Sequence, residues 1–297
     1  MEAVIIDFHT HIFPPRVIER RADLLEKDPC LKALYSNPRA KMASLEELIS
    51  SMDRDGIDMS VVLNIGWSDL ELCRETNDYI LEAATRYPER LVGFCMVDPK
   101  SDWAPKELER CLKGGTRGIG ELRPDLQGFN PAEGSAAVVF ELAAKNELLA
   151  LTHASEPVGH LYPGKGEVTP DILYRFATLF PELCLICAHW GGGLPFYALM
   201  PEVAQALQKV FFDTAATPFL YEDAIFSLAS QLVGPHKILF GSDYPLISQG
   251  RIIRQLERLD LPQPDRESIL GGNARQLLKL GHGEDSGFHR YRASRGT

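Results

Sequence analysis

The sequence lacks a long hydrophobic run, and no basic segment precedes an apolar stretch at its start, MEAVIIDFHTH. We therefore expect neither a secretory signal nor a membrane span. Basic residues are in the minority, with 31 Lys and Arg against 41 Asp and Glu, so the formal net charge is −10. Because phosphate binding depends on Lys and Arg, this balance argues against nucleic acid as the main partner. The expected setting is cytoplasmic, and the expected partner is a small molecule.

Disulfide frameworks and zinc ribbons are also missing. The chain has six cysteines, and its one CxxC spacing, Cys184 to Cys187, has no second pair to complete a zinc ribbon. The pair lies in the apolar run LCLICAH, where a strand would point the two sulfur atoms to opposite faces. We expect reduced cysteines that pack as small apolar residues.

What the sequence does contain is eight short apolar runs that alternate with stretches of helical periodicity. This alternation is typical of βα units around a parallel sheet. The predicted strands are Val4 to Phe8, Ser60 to Ile65, Leu91 to Val97, Gly118 to Leu122, Leu148 to Thr152, Leu183 to Ala188, Val210 to Phe212 and Lys237 to Phe240. The predicted helices are Leu45 to Arg54, Leu70 to Tyr87, Pro105 to Leu112, Gly134 to Lys145, Pro170 to Phe180, Leu194 to Leu207, Phe219 to Leu232 and Gly250 to Leu259. The pattern predicts an α/β protein with a single (β/α)₈ TIM barrel.

Two segments lie outside this repeat. Residues 14–43 form an insertion after the first strand, helical at its start, and such a segment can serve as a lid or binding wall at a barrel mouth. Residues 281–297 form a polar tail that we expect to be mobile. We therefore expect one domain over residues 1–280. Ser44 with Glu47, Asp69 and Gly56 are typical capping residues for the neighbouring helices.

Polar residues follow the predicted strands at their carboxyl ends, which is where barrel enzymes carry their catalytic groups. A spacing of two places His9 and His11 on one strand face, together with Asp7, so that both imidazoles can reach one ion. The six candidate metal ligands are His9, His11, Glu121, His153, His189 and Asp243. Imidazole nitrogen and carboxylate oxygen suit zinc-class metals. Six donors exceed the four that one tetrahedral ion needs, so the set predicts a divalent metal site, most simply Zn²⁺, with one or two ions.

Each of these residues taken alone has a structural interpretation. A single histidine at a strand end is more often a hydrogen-bonded structural residue, and Glu121 could cap the next helix. We interpret Asp213, which precedes Thr214 at a turn, as such a cap. Four histidines and two carboxylates at the mouth of one predicted barrel favour a metal site over these separate explanations.

Candidate substrate-binding residues surround the predicted metal site. Arg123, directly after Glu121, could pair with a substrate carboxylate or form a surface salt bridge. The glycine run after Trp190 would let a ligand approach the backbone closely. The complete set is Arg123, His160, Tyr162, Lys165 and Trp190, with Arg39 and Lys41 of the insertion as further anion-binding candidates.

The motifs DFHTH, GIGEL, THA, AHWGGG, FGSDYP and ILGGNARQLL follow one another over nearly the whole chain. In this order they resemble the amidohydrolase superfamily, specifically its amidohydrolase-related group that includes the aminocarboxymuconate-semialdehyde decarboxylase type. The resemblance implies that His9, His11, His153 and Asp243 bind metal, that His189 is a ligand or a catalytic electrophile, and that Asp243 also moves protons. Similar proteins are often dimers, so a homodimer is one expectation. The order is also similar to the TatD-type nucleases, in which the Glu bridges two metals.

The main functional expectation is metal-dependent hydrolysis of a C–O or C–N bond in a small, carboxylated substrate. Asp243 would move the proton of a metal-bound water, and His189 would stabilise negative charge. The alternative is nonoxidative decarboxylation of an unsaturated or aromatic acid, with Asp243 or His189 protonating the carbon. Fold and motifs do not decide between the two. A TatD-like nuclease and a noncatalytic metal-binding barrel rank third.

Overall fold

Eight parallel strands, each paired with the next in the sequence, form the centre of the protein. The computed structural model describes residues 4–131 and 134–280. The strands are β1 (Ile6–His11), β2 (Met59–Leu63), β3 (Leu91–Cys95), β4 (Gly118–Leu122), β5 (Leu149–Thr152), β6 (Cys184–Cys187), β7 (Val210–Asp213) and β8 (Ile238–Leu239). They are buried almost throughout, as expected for parallel strands covered by helices. The prediction of a (β/α)₈ barrel is confirmed.

The barrel closes between β1 and the segment that follows β8. Phe8 N donates to Phe240 O at 2.7 Å, and His11 N donates to Tyr244 O at 2.7 Å. In return, Asp243 N donates to His9 O at 2.9 Å. These bonds tie the strand that carries His9 and His11 to the segment that carries Asp243.

Helices connect the strands and cover the barrel. The α-helices between and after the strands are Leu45–Asp55, Leu70–Arg86, Ala104–Lys113, Pro124–Gln127, Gly134–Lys145, Pro170–Leu179, Pro201–Ala206, Thr217–Leu220, Ala224–Val233, Gln249–Arg258, Gln263–Glu267 and Asn273–Leu277. Short helical turns of other kinds are Ala188–Gly191, Leu194–Leu199, Leu207–Lys209, Pro235–Lys237 and Ser268–Gly272. In the described part of the chain, no helix has both the length and the apolar character that crossing a membrane requires.

The predicted caps are present at the first two large helices. Ser44 and Glu47 form a capping box at the start of Leu45–Asp55, and Gly56 ends that helix in a left-handed conformation. Asp69 accepts a hydrogen bond from Leu72 N at the start of Leu70–Arg86. All six cysteines are free thiols, five of them buried and Cys184 partly exposed.

The insertion after β1 contains the helices Pro15–Glu19, Arg21–Leu24 and Pro29–Tyr35, so the expectation of helix at its start is confirmed. Asp28 caps the third helix by accepting from Cys30 N and Leu31 N. Its other carboxylate oxygen accepts from Ser68 N at 2.9 Å, which fastens the insertion to the loop after β2. The predicted tail, residues 281–297, lies outside the described residues.

Three elements differ from their predicted extent by more than two residues or are divided in two. The helix expected over Leu194 to Leu207 is broken at Met200, because Pro201 cannot donate a backbone hydrogen bond and instead starts a new helix. The helix expected over Phe219 to Leu232 is divided into Thr217–Leu220 and Ala224–Val233. β1 continues to His11 instead of ending at Phe8.

A bulge in β1 also corrects the expected orientation of Asp7. The register of β1 against β2 shifts between Asp7 and Thr10, so the alternation of faces is interrupted there. The Asp7 carboxylate accepts from Ser242 Oγ at 2.6 Å and from Gln249 Nε2 at 2.8 Å. Burial raises the pKa of the Asp7 carboxyl group to about 6. Asp7 therefore braces the closure of the barrel and does not share the position of His9 and His11.

Candidate metal centre

The six strand-end residues expected to hold metal lie in one buried cluster. Three overlapping sets offer ligand atoms that lie within 4.8 Å of one another. These sets are His9 with His11 and Glu121, His9 with His189 and Asp243, and Glu121 with His153 and His189. Residues contributed by β1, β4 and the segments after β5, β6 and β8 thus meet in three overlapping sets, each within coordination reach of a cation.

The β1 histidines face each other through their Nε2 atoms at 3.1 Å. His9 Nδ1 lies 2.8 Å from Asp213 Oδ2, and because a carboxylate can only accept, Nδ1 carries the hydrogen. At this distance either a hydrogen on one of the two Nε2 atoms or a cation must lie between them. This pair fits a metal ion, which binds deprotonated imidazole nitrogen.

Glu121 and Asp243 each divide their two oxygens between different histidines. Glu121 Oε2 lies 3.7 Å from Nε2 of both His9 and His11, while Oε1 lies 2.8 Å from His153 Nδ1. Asp243 Oδ1 lies 3.7 Å from His9 Nε2 and 3.5 Å from His11 Nε2, while Oδ2 lies 3.6 Å from His189 Nε2. The carboxylates thus connect the β1 pair to two further imidazoles.

His189 directs one nitrogen to the backbone and leaves the other without a hydrogen-bond partner. Its Nδ1 lies 3.1 Å from Ala154 O, so Nδ1 donates, and Nε2 is buried with no partner among the described residues. An unpartnered buried polar atom is costly. His189 Nε2 is therefore available to a metal ion or to a bound substrate.

The charges in the cluster suit a cation. Burial alone would raise the pKa of Glu121, but the hydrogen bond from His153 Nδ1 and the nearby His9 imidazole hold that pKa well below its usual range. The pKa of Asp243 is likewise lowered, against its burial, by His11 and His189. Burial and the Arg123 charge lower the pKa of His153 to about 4, which keeps this imidazole neutral. Anionic carboxylates and neutral imidazole are the forms that ligate divalent metals.

Asp213 at the end of β7 contacts the cluster in a way that the sequence interpretation missed. Its Oδ1 accepts from His189 N at 2.9 Å and from Ala215 N at 3.0 Å, as a cap would. Its Oδ2 also holds His9 Nδ1, and the Asp213 charge raises the pKa of His9 well above its usual value even though burial lowers it. One carboxylate therefore orients two histidines of the cluster.

We expect Asp213→Asn to lower metal affinity about 10–100-fold, the usual effect of losing a carboxylate behind a ligating histidine. The amide can offer its NH₂ to His9 Nδ1 and so favour the wrong imidazole tautomer. Competition with a chromogenic chelator measures the affinity. The matched control is Asp223→Asn, an exposed carboxylate outside the cluster; equal affinity in both variants would contradict the role of Asp213.

The AHWGGG motif forms an unusual left-handed turn. His189, Trp190 and Gly191 to Gly193 all have positive φ, and Asp243 also has a φ of 65°. Such values in residues other than glycine are sparsely populated and concentrate at functional sites. A Cβ at Gly192 would lie 2.3 Å from Ser155 O, so the glycine run permits close packing against the loop after β5. The glycine run therefore packs against this loop and not, as the sequence analysis expected, against a ligand.

Trp190 was expected to bind substrate, but its side chain is fully buried. The indole packs against Phe226 with a centroid distance of 5.0 Å, and Nε1 donates to Thr217 Oγ1 at 2.8 Å. Trp190 is absent from the cavity lining. It therefore anchors the left-handed turn instead of contacting substrate.

A cavity of about 530 Å³ opens above the metal cluster. The insertion contributes Tyr35, Arg39 and Lys41 to its lining. Apolar side chains make up much of the remainder, which suits a small organic ligand. The other predicted residues in the lining are His11, Glu121, Arg123, His153, His160, Tyr162, His189 and Asp243.

Arg123 is the cation closest in sequence to the cluster, and it is buried. Its Nε and Nη2 each lie 3.1 Å from an oxygen of Asp125, while Nη1 has no hydrogen-bond partner among the described residues. The surface salt bridge considered for Arg123 is therefore a buried one. Lys165 does not line the cavity; its Nζ bonds to Val158 O and His160 O and thereby braces the loop that carries His160 and Tyr162.

Comparison with known families places this site in a known group. The family model described as amidohydrolase matches residues 6–280. The chain belongs to this amidohydrolase family. Among curated amidohydrolase relatives, a gamma-resorcylate decarboxylase of Polaromonas sp. strain JS666 is 24% identical over 258 residues, which cover 71% of this chain and 77% of the relative.

Two solved structures share the amidohydrolase barrel. A 5-carboxyvanillate decarboxylase from Sphingomonas paucimobilis superposes with a TM-score of 0.75 at 16% identity and covers 94% of this chain and 100% of its own. A dihydroxybenzoic acid decarboxylase from Polaromonas sp. JS666, with bound manganese and the inhibitor 2-nitroresorcinol, gives 0.74 at 20% identity and covers 95% and 99%. At these identities the likeness establishes the fold.

The expectation of a hydrolase is contradicted by these comparisons. The curated relative and both structural neighbours are named decarboxylases, and none of the three is named a hydrolase. The same donor atoms can serve either reaction, so the motifs could not decide, and the comparisons favour decarboxylation, which the sequence analysis gave as the alternative. Zinc as the specific metal is likewise not established, since the metal-bound neighbour holds manganese.

Proposed function

We propose that the protein is a metal-dependent decarboxylase that removes CO₂ from an aromatic or unsaturated carboxylic acid without oxidation. The observation that carries the proposal is the position of the buried His and carboxylate cluster beneath an organic-ligand cavity, with Arg123 Nη1 unpartnered beside it. The names of the relatives supply the reaction type.

One divalent ion would be held by His9 and His11 together with oxygens of Glu121 and Asp243. With one ion bound, His189 is free to carry a proton; a second ion would take His189 together with Glu121 and His153, and we propose one or two ions per chain. Both Zn²⁺ and Mn²⁺ accept this donor set. A bound ion would orient the substrate oxygens and withdraw electron density from them.

Arg123 would hold the substrate carboxylate or a neighbouring ring hydroxyl through Nη1. Asp125 keeps the guanidinium in place by a two-point contact. His160 and Tyr162, on the loop after β5, face the same cavity and would contact the part of the substrate farther from the metal. Lys165 would act through the loop that it braces.

His189 and Asp243 would supply the proton. His189 Nε2 is unpartnered and reaches into the cavity, and the Asp243 carboxylate 3.6 Å away favours the protonated imidazole. In the reaction a C–H bond forms at the carbon that bears the carboxylate, the C–C bond breaks, and its electron pair stays on that carbon. One carboxylate and one proton thus become CO₂ and the shortened product.

Trapping of released CO₂ from a panel of hydroxylated benzoates, including 2,6-dihydroxybenzoate and 5-carboxyvanillate, tests this function. In D₂O the product should carry one deuterium at the carbon that lost CO₂. A parallel panel of esters, lactones and amides serves as the control. Turnover confined to that second panel, with incorporation of labelled solvent oxygen, would refute the proposal.

A further inference from the structure

One wall of the cavity is a segment without regular structure after its first residue. Residues 35–41, here called the strap, follow the helix Pro29–Tyr35 and supply Tyr35, Asn37, Arg39, Ala40 and Lys41 to the cavity lining. The strap returns to the barrel where Phe13 N donates to Ala43 O at 2.8 Å. Few backbone bonds hold it internally, among them Ala40 N to Asn37 O at 2.9 Å.

A single arginine behind the strap holds its backbone at three points. Arg21 Nε donates to Tyr35 O at 2.8 Å, Nη1 donates to Ala40 O at 2.9 Å, and Nη2 donates to Asn37 O. The guanidinium also lies 6.0 Å from the centroid of the Tyr35 ring. Among the described residues, no carboxylate forms an ion pair with Arg21. Its donors are therefore directed to the backbone of the strap.

The contacts of Arg21 differ from those of Arg16 and Arg20, its neighbours in the insertion. Arg16 pairs with Glu75 and Arg20 with Asp23, both at the surface. The rigid fork of a guanidinium can satisfy several carbonyl oxygens in fixed geometry, which an ammonium cannot. Arg21 joins the start, the middle and the end of the strap and itself does not line the cavity.

We propose that Arg21 is a positioning residue that supports substrate binding by fixing the strap as one wall of the cavity. The proposal rests on the proposed function in so far as the cavity binds the substrate acid. The strap carries Arg39 and Lys41, whereas His189 and Asp243 belong to the barrel. Loosening the strap should therefore weaken binding and leave proton transfer largely intact.

Arg21→Met tests this inference because methionine keeps an unbranched stem and removes all five donors. Hydrogen exchange of the Arg39 and Ala40 amides, which donate to Asn37 Oδ1 and Asn37 O, should accelerate at least tenfold, since even one hydrogen bond to a charged group is worth about that factor. KM for the best substrate acid should rise at least tenfold, with kcat within about threefold. Arg21→Lys, which cannot reproduce the fork, should give exchange rates and a KM between those of Arg21→Met and the unsubstituted protein. Arg20→Met, the neighbouring exposed arginine, is the matched control and should change neither quantity.

The outcomes separate the two proposals because hydrogen exchange needs no substrate. Unchanged exchange of the Arg39 and Ala40 amides, or a fall in kcat at constant KM, overturns the role of Arg21. A loosened strap in a protein whose unsubstituted form releases no CO₂ from any acid rejects the proposed function, and the role in positioning the wall stands. Should Arg21→Met fail to fold, Arg21→Lys carries the same comparison.

Discussion

Replacement of Asp243 by asparagine should reduce kcat for CO₂ release by about 10³-fold. The amide keeps the shape of the carboxylate and loses its charge, so His189 Nε2 loses the anion 3.6 Å away that favours its protonated form. General acid catalysis contributes about 10²–10⁴-fold, and Asp243 also places an oxygen 3.5 Å from His11 Nε2, beside the metal position. Steady-state kinetics together with metal content per chain measure both consequences.

Asp98→Asn provides the control for that experiment. Asp98 is also a buried carboxylate, but it bonds to Ser101 Oγ at 3.0 Å and takes no part in the metal cluster. Its variant should keep kcat within about threefold. If Asp243→Asn turned over at the rate of the unsubstituted protein with the same metal content, Asp243 would be neither the proton partner nor a required ligand.

The barrel could be predicted because parallel strands that are covered on both faces appear in the sequence as continuous apolar runs. The ends of strands and helices were predicted wrongly where a buried residue is polar, or where a proline interrupts an apolar periodicity. β1 extends through His9 and His11, whose polar side chains are buried and therefore hide the strand from an apolar pattern. The apolar periodicity continues across Pro201 although the helix does not.

The metal cluster was predictable from strand ends, since the barrel brings every carboxyl end of a strand to one face. Asp213 was not, because a helix cap and a carboxylate that orients a histidine have the same sequence signal; only the 2.8 Å contact with His9 distinguishes them. The prediction that Trp190 binds substrate was wrong for a related reason. The glycine run after it forms a left-handed turn that packs against Ser155 and does not contact a ligand. Reaction type could not be predicted, because hydrolysis and decarboxylation use the same donors.

Removal of the metal should abolish CO₂ release and destabilise the fold. After dialysis against a strong chelator, activity should fall below about 1% and return with Mn²⁺ or Zn²⁺, because the donors remain in place. Without a cation, buried Glu121 and Asp243 keep charges that the histidines and Arg123 compensate in part. At a hundredfold excess of metal over Kd, binding adds about 2.7 kcal/mol, so the apo protein should melt roughly 4 °C lower.

His11→Ala separates the loss of the ion from other effects of the chelator. It removes one of the two Nε2 atoms that face each other at 3.1 Å, so added metal should restore neither activity nor melting temperature. His236→Ala, an exposed histidine outside the cluster, should bind metal and respond like the unsubstituted protein. Metal retained by His11→Ala at the original stoichiometry would mean that the two β1 histidines do not share an ion. The function would then have to rest on Glu121, His153 and His189, the one set of donors that does not include β1.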